Sequence, residues 1–552
     1  MKRLALLLVL VFVVVPAAFI AAQGPEETLI RALTGGDIST LNPALVSDST
    51  SIDVSAFLFD GLYEADPDTG APLPKLTTWE VSEDGLTYTF TIVDGAVWSD
   101  GSAITANDVF FTYNAILSDS VPSPRKADME LIESFNVIDD KTFEVVLSAV
   151  NCTIWGGAFA SLTPVPSALY AADFSDFVDN PINLAPTVTS GPYIVDEYSP
   201  GDFIRLRANE NYWGGAPQIP FILNRILADT AVQNQALLSG EVDYAFMYPD
   251  QLEQLGGPAN LNAFVEPLNN TPLFVMNWED PTSPQSAYDE SGNLIEQTPN
   301  KFFSDVRVRQ AIAMGYDKSA IVGTLGPDGG YLLNGPFTPM FSWATVNEEV
   351  TPYAYDPEQA AALLDEAGWL LNPDTGIREK DGVPFTFELV YSPLVDLWTN
   401  IALVAQDQLG QIGIQVNVTS MEWSAYLNDV LVPQKFDATI VGFGGGIEVD
   451  GIAYSILYSK NDIPGSGFNL TSYVNPEVDA LLEQGRSTVG CSQEERAAAY
   501  SAVNRIVKED VAYDFTVGTN QVFVMNNRIQ NYDPGAFNDR FGVINWSIGV
   551  GG

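Results

Sequence analysis

Phe385-Thr-Phe-Glu-Leu-Val-Tyr391 and Ile414-Gln-Val-Asn-Val418 read as strands, and so do residues 436–441, which run into Gly442-Phe443-Gly444-Gly445-Gly446. Between them, residues 398–409 and 422–430 carry helical spacing. The series is β-α-β-α-β, which predicts an open α/β sheet. Ligands of such sheets bind outside the carboxyl ends of the strands. Four glycines at that point predict a place where a ligand or another backbone comes close; a turn that needs positive φ is the alternative. Outward from this stretch the same grammar continues. Asp356-Pro357-Glu358-Gln359 starts a helix with an N-cap, Pro at the first position and Gln at the third, and Gly368 ends it. Ser492 and Glu495 cap a last long helix with Ala499, Val503, Ile506 and Val507 facing inward. Before residue 300 the chain reads mainly as β. Leu86-Thr-Tyr-Thr-Phe-Thr-Ile92 and Thr142-Phe-Glu-Val-Val-Leu147 alternate, Thr105 and Asp108 form a capping box, and a helix starts at Thr230.

Composition removes whole classes of chemistry. The chain has 552 residues and a net charge of −47, because 71 acidic residues face only 24 basic ones. Such a surface repels phosphate backbones, so nucleic acid is not an expected partner. There is no histidine, which excludes His-based nucleophilic catalysis and His-ligated metal. Two cysteines, Cys152 and Cys491, are too few for a zinc ribbon or an iron–sulfur cluster. Gly442-x-Gly444 fails the dinucleotide fingerprint. Asp66-Pro-Asp68-Thr-Gly70 and Asn372-Pro-Asp-Thr-Gly376 read as turns between strands. No metal, cofactor or catalytic residue is expected. Carboxylates are plentiful, so a secreted glycosidase built on a carboxylate pair stays open on count alone.

The first residues look like an address. Lys2 and Arg3 precede an apolar run over residues 4–15, and Ala21-Ala22-Gln23 offers a cleavage point after Ala22, the layout of a secretory signal peptide. No later segment approaches 18 consecutive apolar residues, so the mature chain is expected to be soluble and exported. Export permits a Cys152–Cys491 disulfide; two separate buried thiols fit the sequence equally well.

Several stretches, in order along the chain, resemble one family. Phe59-Asp-Gly-Leu-Tyr63, Trp79-Glu-Val-Ser-Glu-Asp-Gly-Leu-Thr-Tyr-Thr-Phe90 and Trp98-Ser-Asp-Gly101 are similar to the opening of the extracellular solute-binding proteins of peptide-type ABC importers, family 5. Ser190-Gly-Pro-Tyr193, Asn211-Tyr-Trp-Gly-Gly-Ala-Pro217, Asp305-Val-Arg-Val-Arg-Gln-Ala-Ile312 and Asn475-Pro-Glu-Val-Asp479 continue the match. The resemblance implies a two-lobed periplasmic-binding-protein clamshell of type II with an extra β-rich subdomain. The segments would be a signal peptide (1–22), lobe I (23–56), the extra subdomain (57–185), lobe I again (186–275), lobe II (276–515) and a C-terminal return to lobe I (516–552). Chain crossings near residues 273–277 and 513–519 would form the hinge. Ligand would close the cleft, and the closed monomer would dock on a membrane permease driven by ATPase subunits.

The resemblance also implies a site. Asp37 and Ile38 would form the ligand-facing edge of lobe I. Trp398, Trp423, Phe443 and Tyr454 would supply aromatic walls, with Gly444, Gly445 and Gly446 the close backbone approach. Peptide binders of this type hold the ligand's amino terminus with an Asp just after the strand ending at Val441. Here Gly446 stands there, leaving Glu448 or Asp450 to substitute. The Arg that some dipeptide binders place before the Trp398 helix is also missing from Ser392-Pro-Leu-Val-Asp-Leu397. Burying an unpaired terminal charge is costly, so an oligopeptide held through its backbone is expected over a free dipeptide. The same fold could instead hold a neutral oligosaccharide on Trp faces, or serve a membrane sensor as a signalling receptor.

Overall fold

A computed structural model of the chain describes residues 27–33, 36–345 and 350–549. The expected signal peptide lies outside them. Two large hydrophobic cores organise what is described, beside a smaller cluster of Ala236, Leu237, Val242 and Val524 in lobe I. One runs from Leu273 to Val517 and is built around Phe274, Phe387, Leu389, Ile440 and Val507. The other joins Leu29, Phe57, Phe90, Phe143, Leu206 and Met525. The first belongs to lobe II; the second unites lobe I with the β-rich subdomain.

The expected α/β series of lobe II is present. Its sheet has the order Gln415–Ser420, Thr386–Tyr391, Ala438–Gly444, Asn270–Met276, Asp514–Phe515. The first three strands are mutually parallel and the last two pairings are antiparallel. The helix Asp396–Gln411 buries Trp398, Ile401, Ala405 and Leu409 against it. The capping signals also fold as read. Asp356 accepts from Gln359 N at 2.9 Å, and Gly368 takes φ +85°. Asp108 Oδ2 accepts from Thr105 N at 2.9 Å. At Thr230 the N-cap is Asp229, which accepts from Val232 N; Gln233 instead donates to Phe246 O.

Lobe I carries a mixed sheet in which Thr28–Leu33 lies parallel to Phe221–Ile226 and the long strand Val517–Asn526 pairs with Tyr244–Met247 and Leu261–Pro267. The subdomain is an antiparallel sheet ordered Thr77–Val81, Thr87–Ile92, Thr142–Leu147, Ile132–Val137. The chain passes between the lobes at residues 268–269 and at Thr516. The first passage precedes the expected 273–277 because Asn270–Met276 is already paired along its length with Ala438–Gly444. One covalent tie also crosses: Cys152 and Cys491 form a disulfide that joins the subdomain to the loop before the Gln493–Asp510 helix.

Candidate functional site

The strand Ala438–Gly444 outruns its neighbour. Thr386–Tyr391 pairs with it only as far as Ile440, while Asn270–Met276 follows it on the other side to Gly444. Its edge from Val441 to Gly444 therefore has no strand partner among the described residues. The ladder's phase decides what that edge offers. Thr516 N donates to Pro272 O, so the polar groups of Pro272 face away from Gly442. In an antiparallel pair the residues alternate. Gly442 and Gly444, opposite Pro272 and Asn270, thus turn their N–H and C=O toward the open edge.

The glycines divide by cause. No residue from 442 to 446 has positive φ, so the turn explanation falls. Gly442, Phe443 and Gly444 are strand, not loop. A Cβ on Gly442 would sit 3.2 Å from the Trp398 ring, and one on Gly445 would collide with Asn269 Nδ2. Asn269, in the passage between lobes, clasps this segment: its O accepts from Gly445 N at 2.9 Å and its Nδ2 donates to Gly446 O at 2.9 Å. At Gly444 and Gly446 a Cβ would meet open space.

Beyond the glycines the two acidic candidates part company. Asp450 is 0% exposed and bound by Arg486 at 2.6 Å. Arg486 lies 3.5 Å over the Tyr454 ring, and Tyr454 is stacked on Tyr458 and donates to Glu483 Oε1. Asp450 and Tyr454 are thereby held by lobe II side chains. Glu448 reaches across to the subdomain, where its Oε1 accepts from Gly156 N at 2.7 Å. Burial, then the neighbouring charge of Asp450, pushes its carboxyl up to about 7, against the pull of Arg496 and the Gly156 N–H.

Two cavities include Ile447, just past this strand end, and another lies within lobe I. One of ≈ 400 Å³ is lined by Asp60, Tyr63, Lys75, Arg125, Ile447 and Arg540. A second of ≈ 570 Å³ lies against lobe I at Asp53, Tyr244, Phe246 and Gln521. A third of ≈ 380 Å³ lies between the subdomain and lobe II, lined by Trp79, Tyr88, Trp155, Trp343, Glu448 and Arg496. Ile447 borders the first and third, and Phe537 the first and second. Each is of the size that holds a small ligand.

Of the expected site residues, Glu448 lines the third cavity. Trp398 is buried under Gly442, with the half-buried Trp423 packed against it at 6.2 Å. Phe443 meets the exposed Phe468 edge to face. Ile38 is 5% exposed and belongs to the lobe I core. Asp37 accepts from its own neighbour Ile38 N and from Tyr198 Oη at 3.0 Å. Ile38 thus packs inward, and Asp37 is tied to the Tyr198 strand. The aromatic residues Trp155 and Trp343, and Arg496 and Phe537, were missed. They lie far apart in sequence and carry no shared pattern; only Trp79 stood in a recognisable motif.

Comparisons with known proteins agree with this architecture. Residues 73–465 match the family model of the bacterial extracellular solute-binding proteins, family 5. The oligopeptide-binding protein AppA of Bacillus subtilis is 26% identical over 514 residues, covering 93% of this chain and 90% of that protein. The solved structure of AppA in complex with a nonapeptide superposes with a TM-score of 0.67 at 24% identity, covering 94% of this chain and 98% of that one. HbpA2 from Haemophilus parasuis gives a TM-score of 0.78 at 21% identity, with 94% and 99% covered.

Proposed function

The chain belongs to the bacterial extracellular solute-binding proteins, family 5, and from that premise we propose that it is the exported substrate-binding component of an ABC importer that captures an oligopeptide between its lobes. The observation that carries this reading is the open edge at Gly442 and Gly444. A strand edge whose N–H and C=O groups point outward accepts an extended peptide as an added strand. Side-chain bulk is absent where the peptide backbone must approach. The adjoining cavities receive its side chains, which favours several residues over two. Of the two acidic candidates, Glu448, and not the tied Asp450, borders a cavity. The buried stacking of Trp398 leaves less flat face for a sugar ring than the sequence suggested.

Binding proteins, not enzymes, make up the family and its relatives. Among the described residues no helix is long and apolar enough to cross a membrane. Delivery to permease and ATPase subunits by the closed monomer completes the reading. Thermal unfolding against pools of tri- to hexapeptides and of neutral oligosaccharides tests it. A binder of the native state adds about 2.7 kcal/mol of stability at a hundredfold excess over Kd, and so raises the midpoint by mass action. A rise with peptides alone is expected; a rise with sugars alone would sink the peptide assignment.

A further inference from the structure

Arg496 stands out in a chain so short of cations. It is 6% exposed, yet it forms no ion pair with a carboxylate among the described residues. Nε donates to Gly485 O at 2.9 Å and Nη2 to Tyr500 Oη at 3.1 Å. Nη1 has no acceptor among the described residues. The guanidinium leans on the rings of Trp343 and Tyr500, at 5.4 and 5.5 Å, and borders the ≈ 380 Å³ cavity. Glu448, the carboxylate in the same wall, feels the charge of Arg496 but forms no direct ion pair with it and directs its Oε1 to Gly156 N. The indole N–H of Trp343, another lining residue, is also buried without an acceptor. Burying a cation without a directly bonded anion is costly. An enclosed guanidinium that keeps an open donor beside a cavity is arranged to receive an anion, and the low-dielectric surroundings strengthen that contact.

We propose that this cavity is a carboxylate subsite, in which Arg496 binds a carboxylate of the bound peptide while Trp79, Trp155 and Trp343 enclose the apolar part of the residue that carries it. The inference rests on the peptide reading given above. The cavity opens directly after Gly446, so a peptide added to the Gly442 edge delivers its next side chain or its carboxyl terminus there. Both sources share one chemistry.

The test compares three sets of tri- to hexapeptides without other acidic residues: free carboxyl termini, amidated termini, and amidated termini with one internal Glu. The readout is apparent affinity from thermal midpoint shifts. Carboxylate-bearing peptides are expected to bind at least about tenfold tighter than neutral amidated ones, the share of a charge-assisted hydrogen bond. A preference for the free terminus or for the internal Glu identifies the source. Arg496→Gln should erase the preference. Arg496→Lys keeps the stem and the charge but not the fork and should reduce it several-fold, which keeps the test alive if the Gln variant does not fold. Equal binding of all three sets by the native protein overturns the subsite, as does an unchanged preference in either variant. Failure of every set to bind overturns the peptide reading itself.

Discussion

At the scale of single residues, burial sets unusual titrations. Glu279 and Asp462 lie together in lobe II, each 1% exposed. Burial, and then the charge of Glu279, raises Asp462 from its ordinary 3.8 to about 8; burial raises Glu279 to about 7. Folding therefore holds protons that the unfolded chain releases near pH 4. The stability linked to Asp462 is complete at low pH and is lost as pH rises toward 8. Asp462→Asn should flatten that decline, so that melting midpoints of variant and native protein diverge between pH 5 and 8 in the variant's favour. A parallel decline in both would refute the assignment. Nothing in the sequence pointed to this pair, which is 183 residues apart and meets only through lobe II packing. Glu448, by contrast, was legible because it follows a strand end whose position could be read locally.

At the scale of elements, two strands make separate predictions. The Gly442 edge binds through backbone groups, so Gly444→Pro removes an outward N–H without removing a ladder bond. Peptide affinity should fall about 2- to 13-fold, the worth of one hydrogen bond, while the urea midpoint stays nearly unchanged. An equal loss in both would mean that the residue serves the sheet. Asp514 ends lobe II's sheet and is buried with Lys318, whose Nζ pairs with it, and with Tyr316, which donates to Oδ2 at 2.6 Å. Lys318→Met strands a buried carboxylate and should cost about 3–5 kcal/mol in urea unfolding. Asp514→Asn added to it should recover most of that loss. The elements themselves were largely readable: capping residues at Thr105, Asp356 and Ser492, and alternation at 86–92 and 142–147, are local signals. The open edge was not, because it depends on where Thr386–Tyr391 stops beside Ala438–Gly444.

At the scale of the whole molecule, the Cys152–Cys491 disulfide ties the subdomain to lobe II beside the third cavity. Residues 268–269 and Thr516 carry the chain between the same bodies, so the tie restrains any hinge motion that separates them. The double variant Cys152→Ser/Cys491→Ser should lower stability by about 2–5 kcal/mol and release bound peptide several-fold faster in stopped-flow displacement. Unchanged release would show that opening proceeds without parting these two surfaces. The sequence by itself determined the α/β grammar of lobe II, the β character of the subdomain and the exclusion of His-based catalysis and His-ligated metal. These follow from periodicity, capping and composition, which act over a few residues or over the chain as a whole. The tertiary structure alone decided that the two cysteines pair, that Ile38 is core and Asp450 is tied to Arg486, and that Arg496 and Trp155 line one cavity. Contacts between residues hundreds of positions apart leave no periodic trace in a single chain; they exist only once both lobes have packed.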